Sequence, residues 1–251
     1  MSSPAGGTPT PTVDLPVPAR ALAVGALPDD VEFGCGGTLA KWAASGCEIR
    51  HLVCTDGSKG SWDPDEDVGA LVALRRDEQR EASRALGGSG EVVFLDWPDG
   101  ELEAGLRQRW QVASWIRRLQ PDVVLGHDPW KRYRLHPDHR AAGFLLTDAV
   151  VAARDPHFFP ELVTPPHRPR ALLLWEADDP DHVEDIGAHL ETKLAALLCH
   201  RTQYRSTMKI DAGDPTEQLE RFRARVAERA GDHGRPAGVA HGEAFRAIRD
   251  L

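Results

Sequence analysis

The sequence predicts a single α/β domain, Rossmann-like, with a mainly parallel β-sheet covered by helices on both faces. Three observations predict it. Short, continuously apolar runs recur along the chain, stretches of helical periodicity separate them, and each separation is long enough for a crossover helix. A chain of 251 residues, 41% hydrophobic and 27% charged, has the length for one sizeable core and the composition of a globular protein.

Residues 1–18 (MSSPAGGTPTPTVDLPVP) are rich in Pro, Gly, Ser and Thr and predict a disordered leader, with neither the basic start nor the apolar run of a signal peptide. The domain is expected over 19–251. Residues 21–26 (ALAVGA) read as a strand buried on both faces, and Gly34-Cys35-Gly36-Gly37 opens the helix after it. A second buried strand is expected at 48–55 (EIRHLVCT), followed by a loop of turn-formers and acids at 56–69. A helix at 70–86 stops at Gly87-Gly88. The third strand is placed at 92–95, an amphipathic helix at 103–119 with Leu106, Trp110, Ala113 and Ile116 on one face, and the fourth strand at 123–125. A helix from His136-Pro137 to about 153 and a fifth strand at 171–175 complete the alternation. Residues 217–227 and 241–248 read as two C-terminal helices, and no internal repeat is visible.

The net charge of −9 is spread along the chain without a basic stripe, which argues against nucleic acid as a partner. No run approaches eighteen apolar residues, so no membrane span is expected. Cys35, Cys47, Cys54 and Cys199 form no CxxC pair, so neither a zinc ribbon nor a disulfide framework is indicated, and a reducing cytoplasmic location is expected.

In a doubly wound sheet, ligands bind at the carboxyl ends of the strands, so the polar loops there are where chemistry is sought. Two clusters occupy such loops. Leu27-Pro28-Asp29-Asp30 follows the first strand, and His136-Pro137-Asp138-His139 begins the helix after the fourth. Histidines three apart share one face of a helix's first turn, and Pro137 suits the first helical position because its missing N–H would have no partner there. A carboxylate and an imidazole from different elements make a hydrolytic metal site, and a second carboxylate beside them can take a proton from water. Taken singly, each cluster also reads as ordinary turn and helix-start residues.

Together, in this order, the clusters resemble the A-H-P-D-D and H-P-x-H motifs of the PIG-L/LmbE-like family of zinc-dependent N-deacetylases. Thr55-Asp56-Gly57, Arg75-Arg76-Asp77-Glu78, Trp97-Pro98-Asp99-Gly100, residues 193–203 (KLAALLCHRTQ) and Glu243-Ala244-Phe245-Arg246 resemble further family segments, so the likeness spans nearly all of residues 21–251. The resemblance implies Asp29 as general base, Asp30 and His139 as metal ligands, and His136 as the histidine that steadies the oxyanion. It also implies an N-acetylglucosamine-type small-molecule substrate, leaves a homo-oligomer open, and offers Arg75 as a substrate contact, unless that arginine belongs to a solvated helix face. From the residues themselves, Asp56 reads as a sugar-hydroxyl acceptor or a turn residue, and Trp62 as a cleft-lining or a packing side chain. The family's remaining ligand position holds Leu27, which has no lone pair to give. Zinc is therefore expected to be weakened or absent, and two readings stay open: a hydrolase of reduced turnover, or an inactive form that binds a sugar-like ligand. His127 and Asp128 follow the fourth strand, but replacement of the missing ligand by either is not expected, because ligand distances tolerate only a few tenths of an ångström. Residues 34–37 depart from GxGxxG and follow several acids, which argues against a dinucleotide.

Overall fold

The computed structural model describes residues 10–211 and 215–251. Among the described residues, strands β1 (Thr12–Val13), β2 (Arg20–Gly25), β3 (Glu48–Thr55), β4 (Val92–Trp97), β5 (Val123–His127), β6 (Ala171–Trp175), β7 (His182–Asp185) and β8 (Gly242–Arg249) form one sheet in the order β1-β7-β8-β6-β5-β2-β3-β4. The run of strands β6, β5, β2 and β3, out to the edge strand β4, is parallel throughout. These are the five expected strands, and the expected fold class holds. Their apolar continuity has a physical cause: helices α1 (Asp30–Ala44) and α2 (Val68–Ala85) bury one face, while α3 (Leu106–Leu119) and α4 (Pro137–Arg154) bury the other. Successive residues of β2 thus enter different layers, Ala21 and Ala23 with Trp42 and Leu125, Leu22 and Val24 with Ile116 and Leu146.

Two expectations are corrected. Residues 241–248, read as a helix, form β8 (Gly242–Arg249), which runs antiparallel between β6 and β7 (His182–Asp185). The local Ala and Arg content favours a helix, but Phe245 and Ala247 pack into one core layer and Ile248 into the other, a period of two that only the sheet rewards. The expected leader of 1–18 lies outside the described residues up to residue 9. Beyond that, β1 (Thr12–Val13) pairs in parallel with β7, and the Leu15 N–H donates to Glu184 at 2.8 Å. Backbone pairing at the sheet edge thus overrides a composition typical of disorder. Helices α5 (Leu190–Leu197) and α6 (Pro215–Gly234) build a third apolar cluster with Ile186, Met208 and Phe222.

The glycines at the start of α1 serve packing. A Cβ on Gly34 would lie 2.5 Å from the Trp175 ring, and one on Gly37 would lie 2.7 Å from Ile186. They let the helix approach β6 and the segment after β7. From β2 the chain adds β3 and β4 on one side, then β5 and β6 on the other, so β2 and β5 adjoin at the switch point of the sheet. Among the described residues, no helix is long and apolar enough to cross a membrane. All four cysteines are free.

Candidate functional site

Both sequence clusters converge at that switch point. A cavity of about 460 Å³ opens there, lined among others by Leu27, Asp29, Asp30, His127, His136 and His139. Its size is ordinary for a small-molecule site.

Asp29 precedes α1 in a left-handed backbone conformation, φ 102° and ψ −24°. A non-glycine residue held there costs on the order of 1–3 kcal/mol and persists only when its surroundings hold it. The peptide bond before it is gripped from both ends. The Asp29 N–H donates to Gln79 Oε1 at 3.0 Å, while Arg75 Nη2 donates to the Pro28 carbonyl at 2.7 Å. Gln79 is itself oriented by donating Nε2 to the buried Glu32 carboxylate at 2.8 Å.

Desolvation raises the Asp29 carboxyl to about 7; Arg75, 3.9 Å away, opposes the rise, and the negative charge of Asp30 adds to it. Asp30 goes the other way. Burial alone would raise it, but the charges and hydrogen bonds of His139 and His127 hold it well below the usual carboxylate range. Burial pushes His127 down, and the attraction of Asp30 outweighs burial at His139, whose pKa is raised.

The Asp30 oxygens are divided between partners. Oδ2 accepts the Leu27 N–H at 2.7 Å and lies 3.1 Å from His127 Nε2, while Oδ1 lies 3.2 Å from His139 Nε2. Two ligands of one zinc ion, each about 2.0–2.1 Å from it, sit roughly 3.3 Å apart at a tetrahedral angle. Asp30 and His139 therefore fit a metal in donor type and spacing. His127 joins them in a cluster whose ligand atoms all lie within 4.8 Å of one another. Leu27 lines the same cavity as a hydrocarbon packed into the core.

His136 stacks on His139 with ring centroids 4.6 Å apart, and its buried Nδ1 has no hydrogen-bond partner among the described residues. Asp138 is fully buried and accepts the N–H groups of Gly100 and Leu102 at 2.6 and 3.1 Å. It ties the loop after β4 to α4 and orients no histidine. Arg75 lines the cavity but is 2% exposed; its Nη1 and Nη2 donate to the Gly57 and Pro28 carbonyls, while its buried Nε has no partner among the described residues. Asp56 is not among the lining residues; its Oδ1 accepts the N–H groups of Ser58 and Asp99. Trp62 lines the cavity with 78% of its surface exposed. Asp128 accepts the Trp130 N–H and lies outside the donor cluster. The structure thus brings together Asp29, Asp30, His136, His139 and His127, and leaves Asp56 and Asp128 as loop residues.

Residues 22–150 match the family model described as PIG-L, GlcNAc-PI de-N-acetylase. The chain belongs to the PIG-L family. It is 37% identical over 188 residues to a diacetylchitobiose deacetylase of Thermococcus kodakarensis, covering 74% of this chain and 70% of that one. It is 32% identical over 238 residues to a 1D-myo-inositol 2-acetamido-2-deoxy-alpha-D-glucopyranoside deacetylase of Saccharopolyspora erythraea, covering 77% and 85%. Among solved structures, the N,N'-diacetylchitobiose deacetylase of Pyrococcus horikoshii, complexed with an inhibitor, superposes with a TM-score of 0.82 at 30% identity, over 92% of this chain and 84% of that chain.

Several site residues of this PIG-L chain carried no sequence signal of their own. Gln79 lies four residues after Arg75, hence on the same face of α2, which was the one available hint. Trp175 ends β6 beside His127, and Arg134 and Glu176 form an ion pair at 2.8 Å over the two imidazoles. These meet only through the tertiary fold.

Proposed function

We propose that this chain is a zinc-dependent N-deacetylase acting on an N-acetylglucosamine-type sugar, with metal affinity and turnover lowered by Leu27. The observation that carries the reading is the buried Asp29 carboxyl next to the Asp30–His139 donor pair in one cavity, where desolvation raises its pKa to about 7. A general base works best when its pKa lies near the working pH. The relatives' acetamido-sugar substrates support the substrate class.

When bound by Asp30 and His139, a zinc ion would acidify water and polarise the acyl carbonyl. The remaining steps belong to the side chains. Asp29 takes the proton of the attacking water, and His136, stacked beside His139, donates to the developing oxyanion and passes a proton to the leaving amine. Arg75 fixes the Asp29 backbone through Pro28 and tempers the repulsion between the paired carboxylates. Trp62 offers an exposed aromatic face to a sugar ring.

Catalytic zinc sites hold three protein ligands, and Leu27 leaves this one short. That favours a second reading, a form that binds the sugar without cleaving it. Zinc content and acetate release from N-acetylglucosamine and diacetylchitobiose separate the two, measured side by side for this chain and Leu27→His. We expect Leu27→His to take up about one tightly held zinc and to gain at least roughly 10–100-fold in turnover, the scale on which ligand-shell changes act. If Leu27→His binds zinc and sugar yet releases no acetate, the deacetylase reading is lost and the binding reading stands.

A further inference from the structure

We propose that His127 is a positioning residue, locked as a proton donor to Asp30, and that it does not take the ligand place left by Leu27. The inference rests on the metal-dependent reading above. Among the described residues, His127 would complete a three-ligand set with Asp30 and His139. Its hydrogen bonds prevent this. The indole of Trp175 can only donate, and its N–H points at His127 Nδ1 at 3.0 Å. A ring nitrogen that accepts this bond carries no proton, so the neutral ring keeps its proton on Nε2.

That Nε2 faces Asp30 Oδ2 at 3.1 Å, the oxygen that also accepts the Leu27 N–H. Two donors therefore hold Oδ2 and leave Oδ1 for the His139 side. A metal-bound imidazole shows the reverse pattern, its other nitrogen donating to a carboxylate or carbonyl.

The lock is rigid. Trp175 is 1% exposed, and Gly34 presses against its ring so closely that a Cβ would sit 2.5 Å away. His127 and Trp175 are register partners on neighbouring parallel strands, with ring centroids 4.9 Å apart. His139 is held differently. Arg134 Nη1 lies 3.2 Å from Nδ1 of both histidines, but it has only two hydrogens. Glu176 takes one at 2.8 Å and Trp175 already serves His127, which leaves His139 for the other. A guanidinium on a long, rotatable arm can turn away and free His139 for a metal, whereas an indole built into β6 cannot.

Nitrogen-15 NMR of labelled histidine reads ring tautomers without reference to turnover. In this chain and in Leu27→His, we expect His127 to show a bare Nδ1 and a protonated Nε2 both before and after zinc is added, while zinc moves the Nε2 resonance of His139 in Leu27→His. A His127 Nε2 that loses its proton to zinc in either protein overturns the proposal. Affinity supplies a second arm. In Leu27→His, His127→Gln keeps an N–H for Oδ2 and should change zinc affinity by less than about 3-fold, whereas His127→Ala, which leaves Oδ2 short of a partner, should weaken it about 10-fold or more. Equal losses from His127→Gln and His139→Gln would make His127 a ligand and sink the idea. If Leu27→His takes up no zinc at all, the metal-dependent reading fails, and the tautomer found without zinc still decides the state of His127.

Discussion

Asp29 and Asp30 are neighbours in sequence, yet their surroundings pull their proton affinities in opposite directions. Asp30 faces two imidazoles and a backbone N–H, which stabilise its charge, whereas Asp29 has a guanidinium at 3.9 Å and is otherwise desolvated. The consequence for stability has a definite sign. A carboxyl whose pKa rises from 3.8 to about 7 on folding helps the fold at low pH, and that help is lost as pH climbs from about 4 through 7. Above pH 7 the buried charge costs up to about 4 kcal/mol, taking about 1.4 kcal/mol per pH unit. Asp29→Asn removes the charge and keeps a residue tolerant of left-handed backbone. We expect it to abolish deacetylation in the Leu27→His protein and to raise the melting temperature at pH 8, with a smaller gain at pH 5. Equal gains at both pH values would mean that Asp29 is not a charged, desolvated group in the fold. Spacing places Asp29 beside Asp30 and His136 near His139, each within one turn of chain, but joining the two pairs in one site rested on the order of motifs that resembles the family. His127 was legible only as a residue following the fourth strand; its hydrogen bonding depends on which of its nitrogens Trp175 approaches, and that contact crosses from β5 to β6.

Elements were legible where burial on both faces made a run continuously apolar, as in β2, β3, β5 and β6. They were misread where the neighbours decide. β8 carries Ala, Phe and Arg at spacings that suit a helix, and only pairing with β6 and β7 makes it a strand. β1 is too short to leave a periodic signal. The glycines of α1 show the same limit: their cluster invites a dinucleotide-binding reading, already disfavoured by their spacing, but Gly34 and Gly37 pack against Trp175 and Ile186. A prediction follows at this scale. Gly34→Ala forces the Trp175 ring to move or α1 to rise off β6, and overpacking of this kind costs roughly 1–3 kcal/mol. Urea unfolding should show that loss in the midpoint without a change of slope. Because the moved ring carries the indole N–H, zinc affinity in Leu27→His should fall as well. Full stability in Gly34→Ala would show that the close approach at this position is not needed.

The whole molecule is joined at one buried carboxylate. α1 is two helical segments merged across a kink at Cys35, φ −147° and ψ 19°, so the second segment begins with amide groups that lack the helical partners a continuous helix would supply. Glu243 of β8 accepts the N–H groups of Gly37 and Thr38 at 2.9 and 2.7 Å and the Thr38 hydroxyl at 2.6 Å. It also pairs with Lys193 of α5 at 2.6 Å. A negative charge at the start of a helical segment is favoured by the helix dipole and by the free amides it caps. The C-terminal strand thereby holds the helix that presents Asp29 and Asp30, and it links α5 to the same point. Removing the carboxylate leaves two buried amides unpaired and strands a buried ammonium, a loss of about 3–5 kcal/mol. We expect Glu243→Ala to lower the unfolding free energy by that amount and Glu243→Gln, which keeps an acceptor, by less. Hydrogen exchange at Gly37 and Thr38 should accelerate in Glu243→Ala well beyond the change at β4, the edge strand at the other end of the sheet order from β8. Uniform acceleration across the sheet would mean that Glu243 supports global stability alone, without a specific hold on the kinked helix.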